Sequence, residues 1–277
     1  MSLNDELGQR IKENYEQIPK TRLMRRTPVM LRYDGKAFHT LTKGFDKPFD
    51  AVLIKTMQET MKYLCENIQG CVFGYTQSDE ITLILQDFKT FRTSAWFDYE
   101  VQKMCSIAAS MCTMYFNKQF QINVEKEIFD YKSSMVPQSM ELQEKHTRII
   151  NAYNTAIEKG AMFDCRVFNI PMEETVNGTY WRQLDAIRNS IQMVGQANFS
   201  AKELKNKSNN QIQEMLFTQK HINWNDFPIY LKRGSSCIKK EEQNGRSKWF
   251  IDLEMPELVG EGRKYLQDIL DNIQEEK

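Results

Sequence analysis

Pro28-Val29-Met30-Leu31-Arg32-Tyr33-Asp34-Gly35 is a short apolar run that ends on an Asp-Gly turn signal, and its reading decides the fold. Such a run is a buried strand that stops where the turn begins. Downstream, Leu53, Ile54, Met57, Met61, Leu64, Cys65 and Ile68 recur at helical spacing. They make one apolar helix face, with Asp50 placed to cap the helix and Gly70 to end it. Two β-prone runs follow, Cys71 to Thr76 and Glu80 to Gln86, joined by Gln77-Ser78-Asp79, which predicts a hairpin. Helical spacing returns from Trp96 to Asn117, and Met162 to Ile170 reads as a strand closed by Pro171. The order β-α-β-β-α-β is that of a ferredoxin-like split unit, an α+β fold over about residues 28 to 170. A right-handed crossover places the first and third strands side by side and antiparallel. Asp34, ending one, and Asp79, opening the other, then project from the same edge of the sheet.

Past this unit, residues 173–194, 201–218 and 257–273 read as helices, and residues 229–238 and 248–253 as strands. Residues 121–160 read as an inserted segment with a polar helix from about Ser139. The expected organisation is a core over residues 1–170 that carries this insert, and a mostly helical extension over residues 171–277 packed on it. There is no internal repeat or low-complexity linker. The 277 residues are 41% hydrophobic and 27% charged, ordinary for a soluble protein and too apolar for disorder. Basic and acidic residues balance at 37 each, so any polyanion has to be met by local patches. No apolar run approaches the roughly 18 residues of a membrane span, and the first residues are acidic. The expectation is a cytoplasmic protein with no membrane partner. Six dispersed cysteines without a C-x-x-C pair suit buried free thiols, and three histidines without ligand spacing exclude a zinc site.

Two carboxylates brought to one edge repel each other unless a cation lies between them. Magnesium fits, because it takes one or two carboxylates, keeps several waters and completes its shell from substrate phosphates. Gly35 beside Asp34 would let a backbone carbonyl approach such an ion. Asp, Gly and Ser are also ordinary turn residues, so the pattern alone leaves a plain turn open.

The wording of three segments goes further. Arg32-Tyr33-Asp34-Gly35-Lys36-Ala37-Phe38-His39, Phe45-Asp46-Lys47-Pro48-Phe49-Asp50 and Tyr75-Thr76-Gln77-Ser78-Asp79-Glu80 closely resemble, in order, the signatures of the tRNA-histidine guanylyltransferase family of 3′-to-5′ polymerases. The likeness continues through Trp96-Phe97, Lys103, Phe163-Asp164-Cys165-Arg166-Val167 and Trp181-Arg182-Gln183 and leaves residues 121–160 unmatched. It implies a polymerase-palm fold and a nucleotidyltransferase that adds nucleotides to the 5′ end of tRNA. Two magnesium ions are implied at Asp34, the Gly35 carbonyl and Asp79, with Glu80 among the catalytic group and Ser78 a nucleotide contact. Lys47, Lys103 and Arg166 match positions that meet triphosphates. Lys36, Ala37 and Phe38 belong with the nucleotide contacts, and His39 and Asp50 match positions close to the base. ATP and GTP are the implied substrates, ATP activating a 5′-monophosphate end, and the family resemblance implies a homotetramer.

Basic residues cluster at Lys20, Arg22, Arg25 and Arg26, at Lys202, Lys205 and Lys207, and at Lys232, Arg233, Lys239 and Lys240. Each cluster is either a phosphate grip or a solvated face. Two rival readings remain: a nucleotidyl cyclase on the same palm, and an RNA-binding module that stacks bases on its central strands. One departure matters. Where enzymes of the resembled family that extend histidine tRNA carry His-Ile-Asn-Asn, this chain has Ile187-Arg188-Asn189-Ser190. Loss of a hydrogen-bonding histidine predicts relaxed specificity and a role in templated 5′-end repair of many tRNAs.

Overall fold

In the computed structural model, which describes residues 3–90, 92–133, 139–241 and 245–271, the chain opens with helix α1 (Leu3–Ile11) and enters the sheet at β1 (Val29–Gly35). A single turn, α2 (Phe38–Leu41), leads to α3 (Ala51–Asn67), and β2 (Cys71–Gln77) and β3 (Glu80–Leu85) form the hairpin. The long helix α4 (Val101–Ser133), α5 (Met140–Lys159) and strand β4 (Phe163–Asn169) complete the β-α-β-β-α-β series. After it come α6 (Met172–Asn198), α7 (Ala201–Leu204), α8 (Asn209–Lys220), α9 (Ile229–Arg233), strands β5 (Ser235–Glu241) and β6 (Ser247–Asp252), and α10 (Lys264–Asp271).

The six strands lie in the order β4-β1-β3-β2-β5-β6, each antiparallel to its neighbour. The first and third strands are therefore adjacent, as the sequence predicts, with Asp34 opposite Glu80 on β3 and opposite Asp164 on β4. Alternation divides β1 between two cores. Leu31 and Tyr33 are fully buried with Leu83 against α3 and α4, where Met61, Leu64, Phe116 and Phe120 close the layer. Met30 packs on the other face with Phe73, Ile84, Val176 and the α10 residues Leu266 and Leu270. Each such side chain contributes about 1.5–3 kcal/mol through burial. Gly178 brings α6 down onto this face, since a Cβ there would lie 2.8 Å from Ile170 and 3.0 Å from Met30. A third cluster, Ile191, Val194, Ile212 and Leu216, ties α8 to α6.

Several expectations are corrected. The helix foreseen from Trp96 begins only at Val101, because Phe97, Asp98 and Tyr99 adopt left-handed backbone that buries Trp96 and Tyr99. It then runs past residue 121 to Ser133, because Phe120 and Val124 continue the apolar face and Phe120 meets Tyr153 of α5. The helix foreseen from about Ser139 is α5, which Ser139 caps by accepting from the Leu142 amide. The helix foreseen over residues 201–218 is two helices, each opened by its own capping box, Ser200 with Glu203 and Ser208 with Gln211. Residues 229–233 are a helical turn rather than strand. The strand starts after Gly234, whose positive φ and 2.6 Å clearance to the Thr76 carbonyl exclude a side chain. The last helix starts at Lys264 instead of residue 257, and Ile273 lies outside the described residues. The six cysteines are free thiols, Cys105 and Cys165 only partly buried. Among the described residues no helix is long and apolar enough to cross a membrane.

Candidate active site

The end of β1 and the β2–β3 turn form one edge. The Gly35 amide donates to the Asp79 carbonyl at 3.1 Å, which fastens the two acidic turns together. Gly35 has no alternative, since a Cβ there would run into the Phe38 ring. Ser78 holds the tight turn with φ 49° and donates its hydroxyl to Asp79 Oδ1 at 3.0 Å. Burial, and then the like charges of Asp34 and Glu80, push the Asp79 carboxyl above its ordinary pKa. Asp34 and Asp79 thus bring like charge to one edge, offset in part by Arg166 beside Asp34. A divalent cation relieves such repulsion, and two carboxylates with a nearby backbone carbonyl form a magnesium-type donor set. Among the described residues no group of three or more His, Cys, Asp or Glu side chains could hold a metal ion.

Glu80 does not share in this open edge. Both its oxygens accept from Arg182 Nη1 on α6, at 3.0 and 2.8 Å, and Arg182 is buried. Glu80, expected in the catalytic group, is thus held by an arginine beneath the sheet edge. Arg166 stands where a phosphate contact was expected, its Nη2 3.9 Å from Asp34 and 3.6 Å from Asp164 and its side chain half exposed. Asp164 was missed as a member of the acidic row. The signal was available in the strand register, because Arg166 opposes Arg32 and Asp164 opposes Asp34.

Beside the Ser78 turn lies an open cleft, with a cavity volume of about 90 Å³, between the start of α3, the end of β2, α6 and α9. Leu53, Met57, Met193 and Leu231 give it apolar walls, and Gln58, Asn189 and Ser235 bring polar groups. Gln58 donates to the Ser235 hydroxyl at 2.8 Å. Sequence reasoning missed Gln58, Tyr230 and Ser235, which come together only through tertiary folding.

Asp50 borders the cleft but is 5% exposed and holds the structure together. It accepts from the Leu53 amide at 2.9 Å, the Asp46 amide at 3.0 Å and the Tyr153 hydroxyl at 2.7 Å. Its carboxylate is thus engaged as a helix cap and by Tyr153, and burial raises its pKa. The Phe38 ring packs against Phe116 and Phe163 in the core. Ala37, with φ 55°, and Lys36 are exposed in the turn, where the Lys36 amide donates to the Met162 carbonyl. His39 is exposed beside the Thr40 hydroxyl, and Lys47 is exposed in the loop before α3. Lys103 lies in the first turn of α4 with its ammonium 4.8 Å from the Phe97 ring centre.

The first basic cluster is a latch rather than a grip: Arg22 pairs with Asp98, and Arg25 with Asp87 and Asp98. In the third, Lys232 donates to the Asn225 carbonyl and Arg233 lies 3.7 Å from Glu257.

Comparison with known proteins shows what the chain is similar to. A family model described as tRNAHis guanylyltransferase matches residues 8–171. A bacterial tRNA(His) guanylyltransferase-like protein in complex with ATP superposes with a TM-score of 0.77 at 37% identity, covering 96% of this chain and 99% of that one. A bacterial protein of the same description in complex with GTP gives 0.73 at 35% identity, covering 96% and 100%. The tRNA(His) guanylyltransferase of Schizosaccharomyces pombe is 25% identical over 237 residues, 82% of this chain and 78% of that protein. With its acidic edge, its ferredoxin-like sheet and a family match over more than half its length, the chain belongs to the tRNAHis guanylyltransferase family of nucleotidyltransferases.

Proposed function

We propose that this protein adds nucleotides in the 3′-to-5′ direction to the 5′ end of tRNA, and that it restores missing 5′ residues by copying the opposite acceptor strand. The observation that carries the reading is the fastening of Asp34 and Asp79 on one edge, with Asp79 held above its ordinary pKa by burial and then by like charge, beside an open cleft with apolar walls and polar groups. Asp34, the Gly35 carbonyl and Asp79 would hold two magnesium ions. Bound there, magnesium would lower the pKa of the attacking 3′-hydroxyl of the incoming nucleotide and offset the charge on the leaving pyrophosphate or AMP.

The chain's own residues orient the reactants. Arg166, Lys47 and Lys103 supply cations for triphosphate oxygens, the forked guanidinium suiting two oxygens at once. The cleft takes the base, with Asn189 and Gln58 as hydrogen-bonding groups on apolar walls. ATP serves to activate a 5′-monophosphate, and a 5′-triphosphate end dispenses with that step. A homotetramer spreading one tRNA over several subunits agrees with the neutral net charge.

Relaxed specificity is supported by where the departing stretch sits. Ile187 packs in the apolar cluster of α6 and α8. The Ser190 hydroxyl accepts from the Trp224 indole at 3.2 Å and lies 3.1 Å from the Lys232 carbonyl. Neither side chain is left to read a particular RNA partner. The test supplies magnesium and labelled nucleotides to tRNAs of different anticodons, each shortened by one 5′ residue, alongside full-length histidine tRNA. Templated filling of all the truncated ends is expected. Preference for histidine tRNA without filling would overturn the repair role, and a cyclic product from GTP alone would establish the cyclase instead.

A further inference from the structure

The motif Trp181-Arg182-Gln183 contains a residue without a role in the chemistry above. Arg182 reaches Glu80 and Gln183 binds the Pro256 carbonyl and Leu258 amide, but Trp181 is 48% exposed on the palm face of the sheet. Its position is dictated by the helix. Gly178 seats α6 on Met30, and one turn later Trp181 lies over Arg32, the next residue of β1 on that face. The Arg32 guanidinium carbon is 5.5 Å from the indole centre and that of Arg182 is 3.8 Å away. The Nε atoms of both arginines are buried without a hydrogen-bond partner. The two guanidinium groups therefore meet the indole ring while part of their donor edge goes unused. Such packing fixes the ring in place while leaving about half of it open to solvent.

The face around it is arranged in rows across β4 and β1. Asp164 and Asp34 make the acidic row, Arg166 and Arg32 the next, and Phe168 and Met30 the third. Arg166 is half exposed and Phe168 is 37% exposed. Arg32 is two residues from Asp34, about 7 Å along the strand, the scale of a single nucleotide. A nucleotide whose reacting end lies at the acidic row would thus reach with its base over the open indole.

We propose that Trp181 is a nucleobase-stacking platform, pre-ordered by Arg32 and Arg182, that holds a base one nucleotide away from the Asp34–Asp79 edge. The proposal rests on the 5′-end addition reading above. Stacking on an aromatic is tolerant of base identity, which suits an enzyme that must accept many RNA ends. The base belongs either to the RNA end or to a bound nucleoside triphosphate, and the experiment separates the two.

Binding is measured directly, without turnover, for the full-length protein and its Trp181→Ala and Trp181→Phe variants. The probes are a tRNA shortened by one 5′ residue, the same tRNA with an abasic residue at its new 5′ terminus, and GTP alone. Circular dichroism and melting verify that both variants are folded, and Trp181→Phe retains a ring if the alanine variant is not. For an RNA base, Trp181→Ala weakens tRNA binding about 5- to 100-fold, Trp181→Phe recovers most of the loss, and GTP binding is unchanged. The abasic tRNA then weakens the wild type by a similar factor and the alanine variant by much less. For a nucleotide base, the same pattern of loss and rescue moves to GTP. Unchanged binding of both probes in Trp181→Ala overturns the platform, as does a loss of equal size in both variants. A wild type that binds truncated tRNA but never extends it refutes the addition reading and leaves the platform to be judged on binding alone.

Discussion

Replacing Asp34 by asparagine should abolish activity and, in metal-free buffer, make the protein more stable. Asp34 lies directly opposite Glu80 on one neighbouring strand and Asp164 on the other, and it adds to the charge on Asp79. Like charges directly opposite in a sheet destabilise by about 0.2–1 kcal/mol each. Arg182 already balances Glu80, so the full sum is not recovered. The variant also loses the 3.9 Å Arg166 contact, a half-exposed pair contributing about 0–1 kcal/mol. The net expectation is a gain of about 0.5–1 kcal/mol, or roughly 1–4 °C in Tm for a chain of this size. Melting is followed in EDTA and again in millimolar magnesium with GTP. Wild type should gain stability from the ligands and the variant should not, because binding to the native state alone raises its stability. Nucleotide addition should fall at least about 10³-fold through lost charge stabilisation. A variant that melts well below wild type in EDTA, or that gains as much from magnesium and GTP, would show that Asp34 serves the fold and not the ion.

The Asp79→Asn variant should also be more stable than wild type near neutral pH. Its advantage should fade as pH falls, because the raised folded pKa of Asp79 lies above the unfolded value of about 3.9 and its penalty is relieved once it protonates; equal stability of the two proteins across the pH range, read from denaturant melts, would contradict this. Arg166→Ala and Lys103→Ala should raise the nucleotide concentration needed for half-maximal rate about tenfold or more while tRNA binding, measured by filter retention, stays the same. Asp50→Ala should cost about 1–3 kcal/mol in a urea melt, from the lost cap and the Tyr153 hydroxyl left without its buried partner.

What was legible in the sequence was what neighbouring residues decide together. The strand ending at Asp34, the cap at Asp50 and the two-residue turn at Ser78 are local patterns, and their pairing follows from the handedness of one crossover. The left-handed residues at 97–99 escaped because they are set by remote partners. The Leu23 amide donates to the Tyr99 carbonyl, the Val101 amide to the Thr21 carbonyl, and Arg22 pairs with Asp98. For the same reason the cleft was invisible: Gln58 and Ser235 are far apart in sequence, and neither carries a motif. Asp50 misled in the opposite sense. Its placement before a helix gave the cap and the resemblance gave a base contact, and the Asp46 amide and the Tyr153 hydroxyl from α5 show that its oxygens are already engaged.

Helix α6 is where these strands of the reading converge. Along one helix, Gly178 sets the approach to the sheet, Trp181 covers Arg32, Arg182 holds Glu80 beside the acidic turn, and Asn189 faces the cleft. The four residues are spaced along roughly three turns, about 16 Å of helix. Small movements of α6 would therefore displace the palm face, the carboxylate edge and the base cleft together. A substitution at Gly178 should then act on nucleotide and RNA binding at once, although it touches neither. Gly178→Ala puts its new methyl 2.8 Å from Ile170 Cδ1 and 3.0 Å from Met30 Cε, so that either these side-chain ends or the helix must give way. Gly195, the other helical glycine of α6, would meet Ile212 of α8 at 2.7 Å and serves as the control, since it disturbs only the cluster at the far end. Weakened binding of both GTP and tRNA in the first variant but not the second is the outcome that a single coupled helix requires; equal effects of the two would mean that α6 transmits nothing beyond lost stability.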